Sequence, residues 1–287
     1  MRYSGREFSK EEIIWINHFI KNTPGIYRQA LSKRFCEEVN WRKADGGLKD
    51  MSCKVAMLKM EKDGLIKLPP RKRPPIKLHK YVTRTLFAEP QAEVTKKAGE
   101  FNLEFEIVGK GMSSLWNEYI DRYHYLGYKP SPGAQIRYFV KSDNKILACL
   151  GFASAAWKTM PRDQYIDWDA KTREKNLHLI VNNSRYLILP WINSKNLASK
   201  ILSLTARRLA NDWEQRYNYR PVLLETFVEK DRFTGTCYKA ANWLYVGDTK
   251  GRGKHDFHNE CKLPVKSVWL YPLIKNFRTP LTDDKNN

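Results

Sequence analysis

Apolar residues at helical spacing predict three helices in the first eighty residues. Ser9 and Glu12 have the spacing of a capping box, and apolar positions then recur every three or four residues until a Thr-Pro-Gly sequence. Similar apolar stretches follow at residues 26–39 and 50–62. The third stretch stops at Gly64, a residue that suits the left-handed end of a helix. The pattern therefore predicts a small helical module.

The residues after the third helix predict a short strand and an extended basic arm. Residues 65–68 are mostly apolar, and residues 71–80 combine cations with prolines that keep the chain extended. Three helices, a strand and a basic arm resemble a winged helix-turn-helix, whose third helix enters the major groove of DNA. A three-helix bundle that binds protein is the alternative. We place a domain boundary at the arm, which gives a winged-helix-like domain at residues 1–80 and a second domain at residues 81–287.

Strand-like and helix-like patterns alternate over the second domain. Apolar runs at residues 135–141 and 145–153 flank a Ser-Asp-Asn turn signal of hairpin length. A further apolar run leads into an amphipathic helix at residues 195–217. A strand, a short helix and another strand follow at residues 222–228, 233–242 and 243–247. The sequence predicts an α/β or α+β fold with a mixed sheet flanked by helices.

The balance of charge favours a polyanionic partner. The chain has 51 Lys and Arg residues against 31 Asp and Glu, a formal charge of +20, and 13% of its residues are aromatic. Nucleic acid is the commonest polyanion that proteins bind, and we favour DNA, although a generally basic surface is the alternative. No apolar run approaches membrane-spanning length, no signal peptide is evident, and the five cysteines are scattered. The sequence predicts a cytoplasmic protein with reduced thiols and no membrane partner.

Phosphate contacts are expected from cations on the third helix, the basic arm, the long helix and a glycine-rich loop near residue 250. Two further arginines belong to apolar strand or turn segments of the second domain. The predicted nucleic-acid contacts are Lys54, Lys59, Arg71, Lys72, Arg73, Arg185, Lys195, Lys200, Arg207, Arg208, Arg232, Lys250, Arg252 and Lys254.

Two resemblances emerge from the second domain. Its order of hairpin, strand, long helix, strand, short helix and strand resembles the GNAT N-acyltransferase fold. More narrowly, residues 182–191, 224–228, 232–243 and 265–273 resemble the DruA family of the Druantia anti-phage systems, whose relatives also accompany transposons. The DruA resemblance implies a role in phage defence or mobile-element biology, together with other components such as a helicase.

The GNAT resemblance implies a site for acyl-CoA. The loop that would bind this cofactor departs from the family pattern, and the sequence therefore predicts no cofactor. In that fold, a Gln/Arg-x-x-Gly-x-Gly/Ala loop opens the long helix and binds the pyrophosphate through backbone amides. Here Asn193 replaces the Gln or Arg, Asn196 replaces the first glycine, and only Ala198 fits. Tyr238 matches the position of the tyrosine that often protonates the CoA thiolate. An N-acyltransferase, or an inactive relative of one, is therefore an alternative function.

Three side chains are candidates for catalysis. Glu225 lies in an apolar strand, where a carboxylate either reacts or pairs with a buried cation, such as Arg185 or Arg232. His124 is flanked by tyrosines and is a candidate general base. Tyr238 is a candidate nucleophile on phosphate, in a cleft shared with Glu225. A nuclease or nicking enzyme is the alternative that these residues imply.

One further series has the residue types of a metal site. His255, His258 and Cys261 supply three candidate ligands, and no fourth is evident nearby. A solvated basic loop fits the segment better, and the sequence predicts no metal.

Overall fold

The computed structural model describes residues 1–71, 82–252 and 261–283. The chain divides into two compact units, Met1–Lys80 and Tyr81–Asn287.

The described residues of the first unit form a bundle of three helices with a small two-stranded sheet. Ser9 and Glu12 form the predicted capping box, in which each side chain bonds to the other residue's backbone amide. Gly64 follows the third helix with a φ of +75°, the left-handed conformation that favours glycine. Phe35, Met57 and Met60 are among the buried core residues. The elements are β1 Arg2–Tyr3, β2 Arg6–Glu7, α1 Lys10–Asn22, α2 Arg28–Glu38 and α3 Asp50–Lys62.

The strand predicted at residues 65–68 is wrong. The Leu65 amide donates to the Met60 carbonyl at the end of α3, and the Leu68 amide donates to the Glu61 carboxylate. The Leu65 carbonyl accepts from the Asn17 side chain. These backbone groups bond to helical residues, so they are not available to a partner strand. The winged-helix arrangement is not confirmed, and most of the basic arm lies outside the described residues.

The second unit has the mixed α/β fold that the sequence predicts. Over the described residues its main sheet has seven strands in the order β10-β11-β9-β7-β6-β5-β4, with β7 and β9 parallel and the other neighbours antiparallel. The pair β3 and β8 forms a separate parallel ladder. The strands are β3 Val94–Thr95, β4 Glu104–Ile107, β5 Gln135–Ser142, β6 Lys145–Ser154, β7 Ile180–Ile188, β8 Ile192–Asn193, β9 Leu223–Glu229, β10 Leu244–Asp248 and β11 Lys266–Pro272.

The helices of the second unit complete the predicted element order. The long amphipathic helix α7 buries Leu197, Ile201, Leu209 and Trp213, as its apolar spacing predicts. The hairpin, the parallel strand pair, α7 and the short helix after β9 are all present. The helices are α4 Ser113–Tyr123, α5 Met160–Ile166, α6 Ala170–Asn176, α7 Leu197–Tyr217, α8 Thr236–Ala240 and α9 Arg278–Thr282.

The central parallel strands separate part of the way along their length. Strands β7 and β9 pair only where Ile180–Asn182 faces Leu223–Glu225. Both strands continue beyond that ladder, to Ile188 and Glu229. Their divergence opens the sheet, and the resulting gap positions the candidate site.

Candidate functional site

A cleft of about 640 Å³ lies where β7 and β9 diverge. This volume falls within the range of ordinary small-molecule sites. Aromatic and hydroxyl side chains dominate the lining, and no carboxylate among the described residues contributes to it. The lining includes His124, Tyr125, Ser184, Arg232, Phe233 and Tyr238.

A hydrogen-bonded group closes one wall of the cleft. The Tyr238 hydroxyl donates to Asn183 Oδ1 at 2.8 Å, and the Thr226 hydroxyl donates to the Asn183 carbonyl at 3.0 Å. Burial raises the pKa of Tyr238 well above its ordinary value. Tyr238 is therefore a neutral donor whose proton is already engaged. A phenolate nucleophile at this position is disfavoured.

His124 is a donor to the cleft rather than a base. The Leu126 amide donates to Nδ1 of His124 at 3.2 Å. Burial, with a smaller effect from the Arg185 charge, lowers the pKa of His124 to about 4. The neutral ring therefore has its proton on Nε2, and its one acceptor nitrogen is engaged by the backbone. This arrangement leaves no free lone pair for general-base catalysis.

His124 should make the fold less stable in mild acid. Its pKa is lower in the folded chain than in the unfolded chain, so only the unfolded chain takes up a proton as the pH falls from about 6.5 to 4. His124→Asn keeps an acceptor near the Nδ1 position and removes this titration. We expect the melting temperature of His124→Asn to fall less between pH 7 and pH 5 than that of the wild type. An equal fall in melting temperature for the two proteins would contradict a buried, neutral His124 ring.

Glu225 lies outside the cleft and forms a fully buried ion pair. Its Oε2 accepts from Nη1 of Arg162 at 2.8 Å, and its Oε1 accepts from the Ala156 amide at 2.7 Å. Both side chains have no solvent exposure. Burial raises the pKa of the Glu225 carboxyl, and the guanidinium opposes that rise. The buried partner is therefore not Arg185 or Arg232.

The proposed pairing of Glu225 with Tyr238 in one cleft is thus corrected. Successive residues of a strand point to opposite faces, and Thr226, the residue after Glu225, contacts Tyr238. Glu225 faces the other side of β9. Glu225, Tyr238 and His124 consequently do not form a nucleophile with an adjacent base.

A pair of arginines lies on one rung of the sheet beside the cleft. Arg137 on β5 faces Gly151 on β6, and Gly151 faces Arg185 on β7. A side chain at Gly151 would come within 3.2 Å of both the Arg185 side chain and the Trp116 ring, so glycine is needed for this close approach. The pattern predicted Arg185 as a contact residue, and it missed Arg137.

Neutral groups hold both guanidinium groups. Arg137 donates to Asn117 Oδ1 at 2.8 Å and to the Ser113 hydroxyl. Arg185 donates to the Ser184 carbonyl at 2.7 Å. Within the described part of the chain neither arginine makes an ion pair, and burial lowers the pKa of each. The two positive charges are partly removed from water, and no carboxylate in the described ranges pairs with them.

The other predicted contact residues fall into four groups. Three are engaged internally: Lys200 with the Ala98 carbonyl, Arg208 with Asp212, and Lys54 with Asp50. Arg232 pairs with Glu229 and lies 5.3 Å over the Tyr125 ring. The exposed residues are Lys59, Arg71, Lys195, Arg207, Lys250 and Arg252, whereas Lys72, Arg73 and Lys254 lie outside the described residues.

The remaining predictions from the sequence concern a metal site, an acyl-CoA site and a membrane-spanning helix. His255 and His258 lie outside the described residues, and the residues that are described contain no cluster of three metal-binding side chains. Asn196 has a φ of 66°, so it adopts the turn that a glycine would make before α7 begins. In the described ranges, no helix combines the length and the apolar character needed to cross a bilayer.

The topology and the site define the second unit as a mixed α/β domain with the GNAT order of elements and a cleft between its diverging strands. Residues 59–261 match the family model described as "Druantia protein DruA". Because this span is more than half of the chain, the chain belongs to the DruA family. No curated protein matches it in sequence.

Solved acetyltransferase structures match part of this chain at low similarity. The aminoglycoside acetyltransferase AAC(6')-Ib in complex with coenzyme A is 11% identical, with a TM-score of 0.40 over 60% of this chain and 95% of that chain. A polyamine N-acetyltransferase from Drosophila melanogaster is 8% identical, with a TM-score of 0.39 over 60% and 100% of the two chains. The ribosomal-protein-S18-alanine N-acetyltransferase from Escherichia coli is 9% identical, with a TM-score of 0.36 over 60% and 94%. Similarity at this level supports no argument about activity.

Proposed function

We propose that this DruA-family chain is a nucleic-acid-binding component of an anti-phage defence or mobile-element system, with DNA as the favoured ligand. The observation that supports it best is the pair Arg137 and Arg185, which share a rung of the sheet next to a cleft without carboxylates. A helicase or another protein of the defence system is the partner that the family implies.

The arginine pair has the properties of a phosphate site. A charged group that is partly desolvated costs free energy unless an opposite charge compensates it. Hydrogen bonds to Asn117 and the Ser184 carbonyl fix the guanidinium orientations but supply no negative charge. A phosphate would supply that charge, and arginine binds phosphate oxygens through its planar set of donors.

The charge of the whole chain supports further phosphate contacts beyond the arginine pair. The formal charge of +20 is too large to arise from two arginines, and exposed cations such as Lys195, Arg207 and Lys250 add to the basic surface. In the first unit, Lys59 and Arg71 are exposed as well. We propose that both units contact the same nucleic acid. Such contacts give binding that depends strongly on salt.

Enzymatic alternatives have weaker support. The nuclease alternative required Glu225 and Tyr238 in one cleft, which the geometry contradicts. One observation favours an acyltransferase, namely the left-handed turn at Asn196 before α7. The Tyr238 proton, however, is engaged by Asn183. We therefore keep acyl transfer as the second candidate function.

Equilibrium binding tests the proposal. Labelled duplex and single-stranded oligonucleotides are titrated with the full chain and with a chain that lacks residues 1–80. We expect the full chain to bind in low salt, and the shorter chain to remain folded and bind duplex more weakly, because the two units have separate cores. Undetectable binding by the full chain would refute the proposed function. Loss of folding in the shorter chain would refute the division into two domains.

A further inference from the structure

We propose that the cleft between β7 and β9 binds one unstacked base of a single-stranded or locally opened nucleic acid, with Arg185 and Arg232 beside the flanking phosphates. This inference rests on the proposed function and assigns the ligand of its cleft. Three features of the cleft support it: its aromatic rim, the neutral polar groups of its lining and the cations at its edge.

Two exposed aromatic side chains form the rim. Tyr125 is 37% exposed and Phe233 is 50% exposed, and their ring centroids lie 5.3 Å apart. His124 stacks on Tyr125 with centroids 4.9 Å apart and planes 24° from parallel. Large apolar surfaces that remain exposed together at a cleft mark a binding site. A planar base stacks on such rings whatever its sequence.

The groups available inside the cleft are neutral. The neutral ring of His124 has its proton on Nε2, because the Leu126 amide donates to Nδ1, and no described residue accepts that proton. The hydroxyls of Thr234 and Thr236 lie at 2.8 Å from each other and also line the cleft. Donors and acceptors without charge match the edge of a base, which has no charge of its own. The volume of about 640 Å³ accommodates a nucleotide-sized ligand.

Cations border the same cleft. Arg232 lines it and lies over the Tyr125 ring. Arg185 is adjacent in sequence to Ser184, which lines both this cleft and the depression that contains Arg137. A backbone that passes over the rim would therefore place phosphates near arginines on two sides. Neutral hydrogen-bonding groups, with Arg232 in the lining and Arg185 next to it, match the uncharged base and the charged phosphates of a nucleotide.

A base within a duplex has no access to such a cleft. Its faces are stacked and its edge is paired, so a protein that binds a base in a pocket uses a single strand or takes the base out of the helix. The cleft therefore predicts a preference for unpaired nucleotides at this site. Contacts to phosphate by the arginine pair do not require an unpaired base.

The test distinguishes binding of the base from binding of the sugar-phosphate backbone. A single-stranded oligonucleotide and an abasic deoxyribose-phosphate oligomer of equal length are titrated with the full-length wild type, Tyr125→Ala, Phe233→Ala and Tyr245→Ala. Tyr245 is a matched control, because it is 53% exposed on β10 and does not line the cleft. We expect the wild type to prefer the oligonucleotide over the abasic oligomer by about ten-fold or more, since one stacked base contributes that much.

Each outcome then has a defined meaning. We expect Tyr125→Ala and Phe233→Ala to reduce or abolish the preference while affinity for the abasic oligomer stays within about two-fold, and Tyr245→Ala to retain it. Equal affinity of the wild type for both oligomers would overturn the base site and leave the proposed function intact. Failure to bind either oligomer would overturn the base site, and failure to bind duplex as well would overturn the proposed function. Binding of coenzyme A that Tyr125→Ala weakens, without any preference for bases, would assign the cleft to an acyl carrier instead.

Discussion

Replacement of Glu225 by glutamine is expected to lower the free energy of unfolding by about 3 kcal/mol or more. The change removes the negative charge that faces Arg162 within a site that has no solvent exposure. Glutamine has one acceptor oxygen where the carboxylate has two, so its amide donor faces either Arg162 Nη1 or the Ala156 amide. Asp163 still contacts Arg162, which limits the cost. Chemical denaturation at neutral pH measures the effect.

The same strand supplies a matched control. Glu229 is 11% exposed and pairs with Arg232, whose side chain is 56% exposed, so its neutralisation leaves no buried cation and should cost less than that of Glu225. We expect Glu229→Gln to unfold close to the wild type and Glu225→Gln well below it. Equal stability of the two variants would show that the buried pair does not stabilise the fold.

Replacement of both Arg137 and Arg185 by glutamine should reduce affinity for DNA on the order of 100-fold in low salt. A hydrogen bond to a charged group is worth about 1.5 to 3 kcal/mol, and each 1.4 kcal/mol is a factor of ten in affinity. Glutamine retains a polar side chain, and both arginines bond only to neutral groups in the described residues. The variant should therefore remain folded while it loses the phosphate site.

A second double variant controls for the change in net charge. Arg34 and Arg220 are exposed, pair with glutamates and are not lining residues of the cleft. Replacing both by glutamine removes the same two charges, and we expect affinity to fall by less than about three-fold. Equal losses in the two double variants would mean that the sheet arginines contribute only general charge.

Local signals in the sequence accounted for the helices of the first unit. The capping box at Ser9 and the left-handed Gly64 act within a few residues of the elements that they limit, so the pattern was sufficient there. The strand predicted at residues 65–68 was wrong, because a strand depends on a partner that local signals do not reveal. Ile66 and Leu68 are buried as alternating strand residues would be, but they pack within the helical core. Alternation does not reveal whether a partner strand exists.

The cleft was only partly predictable. Tyr238, His124 and Arg232 were identified, and all three line it. Arg162 was missed because it meets Glu225 across 63 positions of sequence, and an apolar strand with one carboxylate does not indicate which arginine will pair with it. Arg137 was also missed, because its position beside Arg185 depends on how the strands pair.

The rung that joins Arg137 to Arg185 depends on strand register. Strands β6 and β7 shift register between Gly151 and Phe152, which leaves Ser184 without a partner residue on β6. A shift of one residue moves every following side chain to the other face, and sequence alternation alone does not reveal it. The arginine pair is therefore evident only in the folded sheet.

The salt dependence of DNA binding is the most direct test of the central claim, that the chain binds nucleic acid through these cations. Each phosphate contact on duplex DNA contributes about 0.9 to the slope of log K against log salt concentration. We expect a steep negative slope for the wild type, and a slope shallower by about 2 for the Arg137 and Arg185 double variant than for the Arg34 and Arg220 control. Binding that is undetectable, or that does not change with salt, would contradict the account.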